Sequence, residues 1–217
     1  MNDLFSASFT KGISNPVNLT SYTDEVMSEL VITEEVVKRK LQAIDVSKAM
    51  GPDEIPGFIL KTFSEELAVP LTLLFNRMYA EGSVPALLKS ANVIPLHKKG
   101  KKNLAKNYRP ISLTPIITMI FGNIYADHLV KHLDDNHIIS NAQHGFRRIR
   151  STKSNMLEFW DTITEYADQS IPDTVIYTDL RKAFDSVPHD LLLQKLEAYG
   201  IKGRNLEWLR SYLDNRK

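Results

Sequence analysis

Apolar positions recur along the chain at two spacings. Behind Thr33, an N-cap candidate, Glu34 and Glu35 suit the positive end of a helix dipole, and Val37, Leu41 and Ile44 then line one face. That pattern predicts a helix running to about Asp45. KAMGPDEIP (Lys48–Pro56) is a turn-rich break, and Phe58 to Phe63 a short helix. Leu71, Leu74, Phe75 and Met78 predict a further helix, with Pro70 in its first turn and Gly82 ending it. Ala91 to Leu96 reads as a strand. YRPISL follows in extended form, because Pro110 pushes Arg109 out of the helical region. Thr114 and Pro115 form an N-cap and N1 pair for a long helix carrying Ile116, Ile120 and Ile124 and ending near Asp134. Ser151 caps a helix with Met156, Leu157, Trp160 and Ile163. Thr174 to Asp179 alternates like a strand. Ser186 and Pro188 open a helix carrying Leu192, Leu193 and Leu196 and closed by Gly200. A last helix carries Leu206, Leu209 and Leu213. The fold class is therefore α/β of the helix-rich α+β kind. Two separated strands are too few for a sheet, which requires either strands the pattern hides or partners outside this stretch.

The 217 residues are 43% apolar, enough to fill a core, and 24% charged. The net charge of +1 conceals an uneven distribution. Residues 1–88 carry 7 Lys/Arg against 12 Asp/Glu, net −5; residues 89–150 carry 11 against 3, net +8; residues 151–217 carry 9 against 11, net −2. A basic middle third attracts polyanions or nucleoside triphosphates. Cysteine is absent, which excludes disulfide-linked partners and thiolate metal sites. The start of the chain lacks the pattern of a secretory signal, and no run has the length of a membrane span.

An Asp ending an apolar strand is rigidly held and open to solvent, a good place for a Mg²⁺ ligand; Asp179 fits. Alone, it reads better as a cap of the following turn. Neither G-x-x-x-x-G-K-[ST] nor G-x-G-x-x-G occurs, so P-loop and dinucleotide-binding readings fail. Asp185 reads as a cap or turn residue, and Phe184 as a core anchor or a surface under a bound sugar. Cations cluster in two loops. Lys98, Lys99, Lys101 and Lys102 follow the first strand, with Arg109 nearby; Arg147, Arg148 and Arg150 follow Gly145. Arginine forks suit phosphate oxygens. Two basic loops and a strand-end carboxylate point to phosphoryl transfer on a nucleotide or nucleic acid.

Five blocks, in order, extend this. KAMGPDEIPGFILK, NVIPLHKKGKKNLAKNYRPISL, ISNAQHGFRRIRST, YTDLRKAFDSVPHDLLLQKL and GIKGRNLEWLRSYLDNRK together resemble the reverse transcriptase domain of non-LTR, jockey-like retrotransposons, from about Lys48 to Lys217. The resemblance implies the fingers and part of the palm of a right-hand polymerase. Residues 1–30 would be a lead-in, 31–172 a fingers-like region with both basic loops, and 173–217 a partial palm. It implies Asp179 as the catalytic, metal-binding carboxylate, with the Leu180 backbone carbonyl as a further ligand. Phe184 matches the gate against a ribose 2′-OH. Arg109 and either Lys98 or Lys99 match residues that hold the triphosphate, and Arg147 and Arg150 lie near nucleotide and template. Gly145 and Asp185 are structural residues near the site. The implied cofactor is Mg²⁺, with Mn²⁺ as a substitute; the implied partners are an RNA template, a DNA primer and dNTPs, without a membrane. The implied setting is intracellular, nuclear or cytoplasmic.

The family's Gly-x-Pro-Gln-Gly turn and paired-aspartate hairpin do not occur in this sequence. The expectation is a polymerase segment that, alone, extends no primer, because one carboxylate cannot hold two Mg²⁺ ions. The alternatives are a non-catalytic nucleic-acid-binding remnant and a degenerate interaction protein. Glu54 stands where the family has Gly, so the GPDEIP turn is expected to be altered or strained.

Overall fold

Seven α-helices and one two-stranded sheet make up the described part of the chain, which in this computed structural model is residues 19–180, 183–184 and 186–216. Helix α1 spans Glu34–Gln42, and the Thr33 hydroxyl accepts from the Val36 N–H at 3.4 Å, as its position predicts. After the turn come α2 (Gly57–Thr62) and α3 (Ser64–Ala80), with Phe63 closing one and opening the other. Pro70 therefore lies inside α3 rather than in its first turn. The helix starts earlier than its apolar stripe because Ser64, Glu65 and Glu66 already form a favourable first turn.

Strand β1 (Asn92–His97) pairs antiparallel with β2 (Tyr108–Leu113), Leu96 opposite Arg109. The partner that the first strand needed is thus YRPISL. Helix α4 (Ile116–Asp135) begins one residue later than expected, with Pro115 as its N-cap at φ −50°. Helix α5 (Thr152–Asp168) opens on a reciprocal capping box between Ser151 and Ser154. Helices α6 (His189–Ala198) and α7 (Gly203–Leu213) follow. No helix among the described residues is long and apolar enough to cross a membrane.

The core lies between α1, α3, α4 and α7. Trp208 packs against Phe121 and Tyr125, each at 4.5 Å between ring centroids, and Phe121 stacks on Phe75 at 5.0 Å. Burying rings of this size is the main stabilising contribution. Residues 22–30 run across α6 and α7 as a strap: Tyr22 N–H donates to Ala198 O at 3.0 Å and Met27 N–H to Gly200 O at 2.9 Å. Asn205 joins the strap to the core, donating to Met27 O and Ser28 O and accepting from Tyr79 OH at 2.9 Å. Burial pushes the Tyr79 and Tyr125 phenols above their ordinary pKa.

One expectation fails here. Thr174–Asp179 forms no strand: residues 171–180 are irregular and exposed. A strand needs a ladder for its N–H and C=O groups, and among the described residues the only sheet is β1–β2. Met156, Leu157 and Trp160 have helical spacing, yet α5 buries none of its residues against the described chain.

Candidate nucleotide and nucleic-acid interface

The loop from Lys98 to Asn107 is fixed by its own backbone and two side chains. Lys98 N–H donates to Asn107 O at 2.8 Å, Asn107 Nδ2 to Lys101 O at 2.7 Å, and Tyr108 OH to Lys102 O at 2.8 Å. Gly100 turns the chain at φ 80°, and His97 packs edge-on to Tyr108 at 5.3 Å. The backbone is thus held while Lys98, Lys99, Lys101, Lys102, Lys106 and Arg109 remain exposed. Among the described residues, none of these six cations has an ion-pair partner.

The second basic loop is built the opposite way. Its arginines are anchored to carboxylates of α4 and α5. Arg148 Nη2 reaches Asp127 Oδ1 at 2.7 Å, and Arg150 Nη1 lies 3.5 Å from Glu158 Oε2. Arg147 Nη1 lies 3.0 Å from Asp134 Oδ1, both atoms buried and off hydrogen-bond alignment. His144 is buried beneath the loop, with Nδ1 2.9 Å from Ser154 Oγ and Nε2 2.8 Å from Glu158 Oε2. Two apolar side chains also face outward from the loop: Phe146 is 90% exposed and Ile149 93%. Around Gly145 a Cβ would meet nothing within 4 Å.

Asp179 and Leu180 lie in the exposed, irregular segment after α5. Phe184 is 80% exposed, and its ring meets that of Phe146 edge-to-face at 5.9 Å between centroids. The structure thus brings the Phe184 segment against the second basic loop. Asp185 lies outside the described residues. Mg²⁺ prefers six oxygen ligands in octahedral array. Among the described residues no three His, Asp or Glu side chains converge as a metal-binding group, so Asp179 and the Leu180 carbonyl do not by themselves fit a two-ion site. His144, Asp127, Asp134 and Glu158 were not legible as loop anchors; the spacing of Asp127 and Asp134, two helical turns apart on α4, was the available signal.

Residues 96–217, from the end of β1 onward, match the family described as reverse transcriptase (RNA-dependent DNA polymerase). The chain belongs to the reverse transcriptase family. Over 165 residues it is 28% identical to the RNA-directed DNA polymerase from mobile element jockey of Drosophila melanogaster, covering 76% of the chain and 18% of that protein. It is 27% identical over 191 residues to a protein named "Probable RNA-directed DNA polymerase from transposon BS" of the same fly, covering 85% of the chain and 20% of the relative. A type-1 retrotransposable element R2 polyprotein of Popillia japonica is 29% identical over 120 residues, covering 55% of the chain and 16% of the relative. The chain spans about a fifth or less of the length of these curated relatives. The family read from the ordered motif blocks is the one found.

Proposed function

We propose that this chain is the nucleotide- and template-facing segment of an RNA-directed DNA polymerase of a non-LTR retrotransposon, comprising fingers and part of a palm. The observation that carries this reading is the hydrogen-bonded β1–β2 hairpin displaying six cations with no carboxylate partner among the described residues. Arg109, with Lys98 or Lys99, offsets the charge of an incoming dNTP triphosphate. The remaining lysines attract the RNA template and DNA primer backbones. Phe184 lies against the sugar. Arg147 and Arg150 hold the second loop in place and lie near nucleotide and template. Asp179 and the Leu180 carbonyl contribute to a Mg²⁺ site, Mn²⁺ substituting, whose remaining ligands are not among the described residues. A non-catalytic nucleic-acid-binding role is the second reading, favoured by that incomplete donor set.

The test is binding of the 217-residue chain to single-stranded RNA across a salt series, alongside Mg²⁺-dependent dNTP incorporation on a primed RNA. Binding that weakens steeply with salt, without incorporation, is expected of this chain. Absence of binding at low salt overturns both readings, and incorporation overturns the second.

A further inference from the structure

We propose that His144 is a positioning residue whose protonation state decides whether Arg150 stays inside the second basic loop or swings out to a nucleic-acid phosphate. The inference rests on the polymerase reading and adds a regulation to it. The His144 side chain is only 4% exposed. Its Nδ1 lies 2.9 Å from Ser154 Oγ, whose hydrogen already goes to Ser151 O at 2.9 Å, so Nδ1 is the donor. Its Nε2 faces two groups at once, Glu158 Oε2 at 2.8 Å and Arg150 Nη1 at 3.2 Å. One ring nitrogen cannot donate to the carboxylate and accept from the guanidinium together.

The two choices are two arrangements of the loop. With the ring neutral and its proton on Nδ1, Nε2 accepts from Arg150, whose charge stays beside Glu158 at 3.5 Å. With the ring protonated, Nε2 donates to Glu158, and two cations compete for one carboxylate oxygen in a site shielded from water. The imidazolium has the closer contact and is fixed by burial. Arg150 is 26% exposed and has a path outward, so Arg150 leaves. Among the described residues, the charged groups bonded to the ring are Glu158 of α5 and Arg150 of the loop. On the α4 side, Asp127 and Asp134 are engaged by Arg148 and Arg147. A released guanidinium fork in a stretch of net charge +8 is matched by a pair of phosphate oxygens. Acid therefore adds one phosphate contact from this loop.

The experiment titrates a single-stranded RNA oligomer with the 217-residue chain at one ionic strength, from about pH 8 to about pH 5.5, where histidines change charge. NMR of the free chain follows the His144 ring nitrogens and the Arg150 Nε–H over the same range. The chain has 6 histidines, so the informative quantity is the difference between wild type and Arg150→Gln. Wild type is expected to gain about tenfold more affinity on acidification than Arg150→Gln does. The Arg150 signal is expected to shift in step with the His144 ring. Glu158→Gln, at a largely exposed position that spares the fold, is expected to lose this pH dependence, because a buried ring without a facing carboxylate resists protonation. Glu165→Gln makes the same charge change farther along α5 and is expected to keep it. Circular dichroism checks that the helices persist in each variant. Equal pH profiles for wild type and Arg150→Gln, or an Arg150 signal that ignores the His144 ring, overturn the switch while the polymerase reading stands on wild-type binding. Failure of the wild-type chain to bind RNA at low salt overturns that reading, and the phosphate role of Arg150 with it.

Discussion

Asp127 receives Arg148 on one carboxylate oxygen at 2.7 Å, while its other oxygen takes Lys40 of α1 at 2.6 Å. One side chain of α4 thereby ties the second basic loop to the first helix. Burial pushes the Asp127 pKa up, but the Lys40 hydrogen bond and the charges of Lys40 and Arg148 outweigh it, and the carboxyl sits below its ordinary value. A depressed folded-state pKa means stability that is present above the unfolded value and is lost as pH falls through the folded one. Asp127→Asn is therefore expected to destabilise the chain at pH 7 by about 0.5 kcal/mol, a small figure because the pair is part-exposed and screened. The deficit should shrink below about pH 4. Urea unfolding of both proteins at pH 7 and at lower pH reads this; a deficit that does not depend on pH would remove the electrostatic explanation.

Glu54 adopts φ 55° in the turn between α1 and α2, where its N–H donates to Gly51 O at 3.1 Å. The left-handed conformation costs a residue with a Cβ about 1–2 kcal/mol. Glycine avoids that cost but gives the unfolded chain more freedom. Glu54→Gly is expected to raise stability by a net ~0.5–1 kcal/mol, seen as a higher urea midpoint at an unchanged slope.

Gly200 and Gly145 should respond oppositely to alanine. At Gly200, φ is 85° and a Cβ would lie 2.1 Å from the Glu25 carbonyl oxygen, so the strap of residues 22–30 must move. Gly200→Ala is expected to cost about 2–4 kcal/mol and to raise proteolytic cleavage near Tyr22. At Gly145 a Cβ meets nothing, and Gly145→Ala should stay within about 0.5 kcal/mol of wild type. A large loss at Gly145 would show that the loop depends on contacts these residues do not make.

Asn205 is buried and spends its amide on the strap and on Tyr79. Asn205→Leu removes these bonds and leaves carbonyls of residues 27 and 28 without that donor. The expected cost is about 2–4 kcal/mol. Tyr79→Phe should cost less, and the double variant should fall short of the sum, because both changes break the Tyr79–Asn205 bond. Strict additivity in the double-mutant cycle would mean the network is not coupled.

The features legible in the sequence are those decided locally. Thr33 and Ser151 cap their helices because the chemistry of a cap lies within three residues. The positive φ at Glu54 was legible for the same reason, given the turn around it. Thr174–Asp179 shows the opposite case. Alternation gives a segment the capacity for a strand, but only a neighbouring strand makes one, and the described chain offers none beside it. The stripe on α5 has the right period but no described partner. In the site, the runs of lysine and arginine were visible, but their difference was not. Whether a cation is free or anchored depends on Asp127 and Asp134 of α4, distant in sequence from Arg148 and Arg147.

That difference yields the last prediction. Lysines free of carboxylates should release counterions when they meet phosphate, whereas arginines already paired should contribute chiefly to the fold. Replacing Lys98, Lys99, Lys101 and Lys102 together by alanine should flatten the salt dependence of RNA binding, by roughly 0.7 in log–log slope for each lysine that contacts a phosphate. Stability should change little, since these side chains are exposed and have no ion-pair partner among the described residues. Arg148→Ala should do the reverse, lowering the unfolding midpoint while leaving the slope nearly intact, because its loss strands one oxygen of Asp127. Parallel salt titrations and urea melts of the two variants check both halves. If Arg148→Ala flattens the slope as much as the lysine variant does, Arg148 gives up Asp127 for phosphate when RNA binds, and the ion pair belongs to the unbound chain alone.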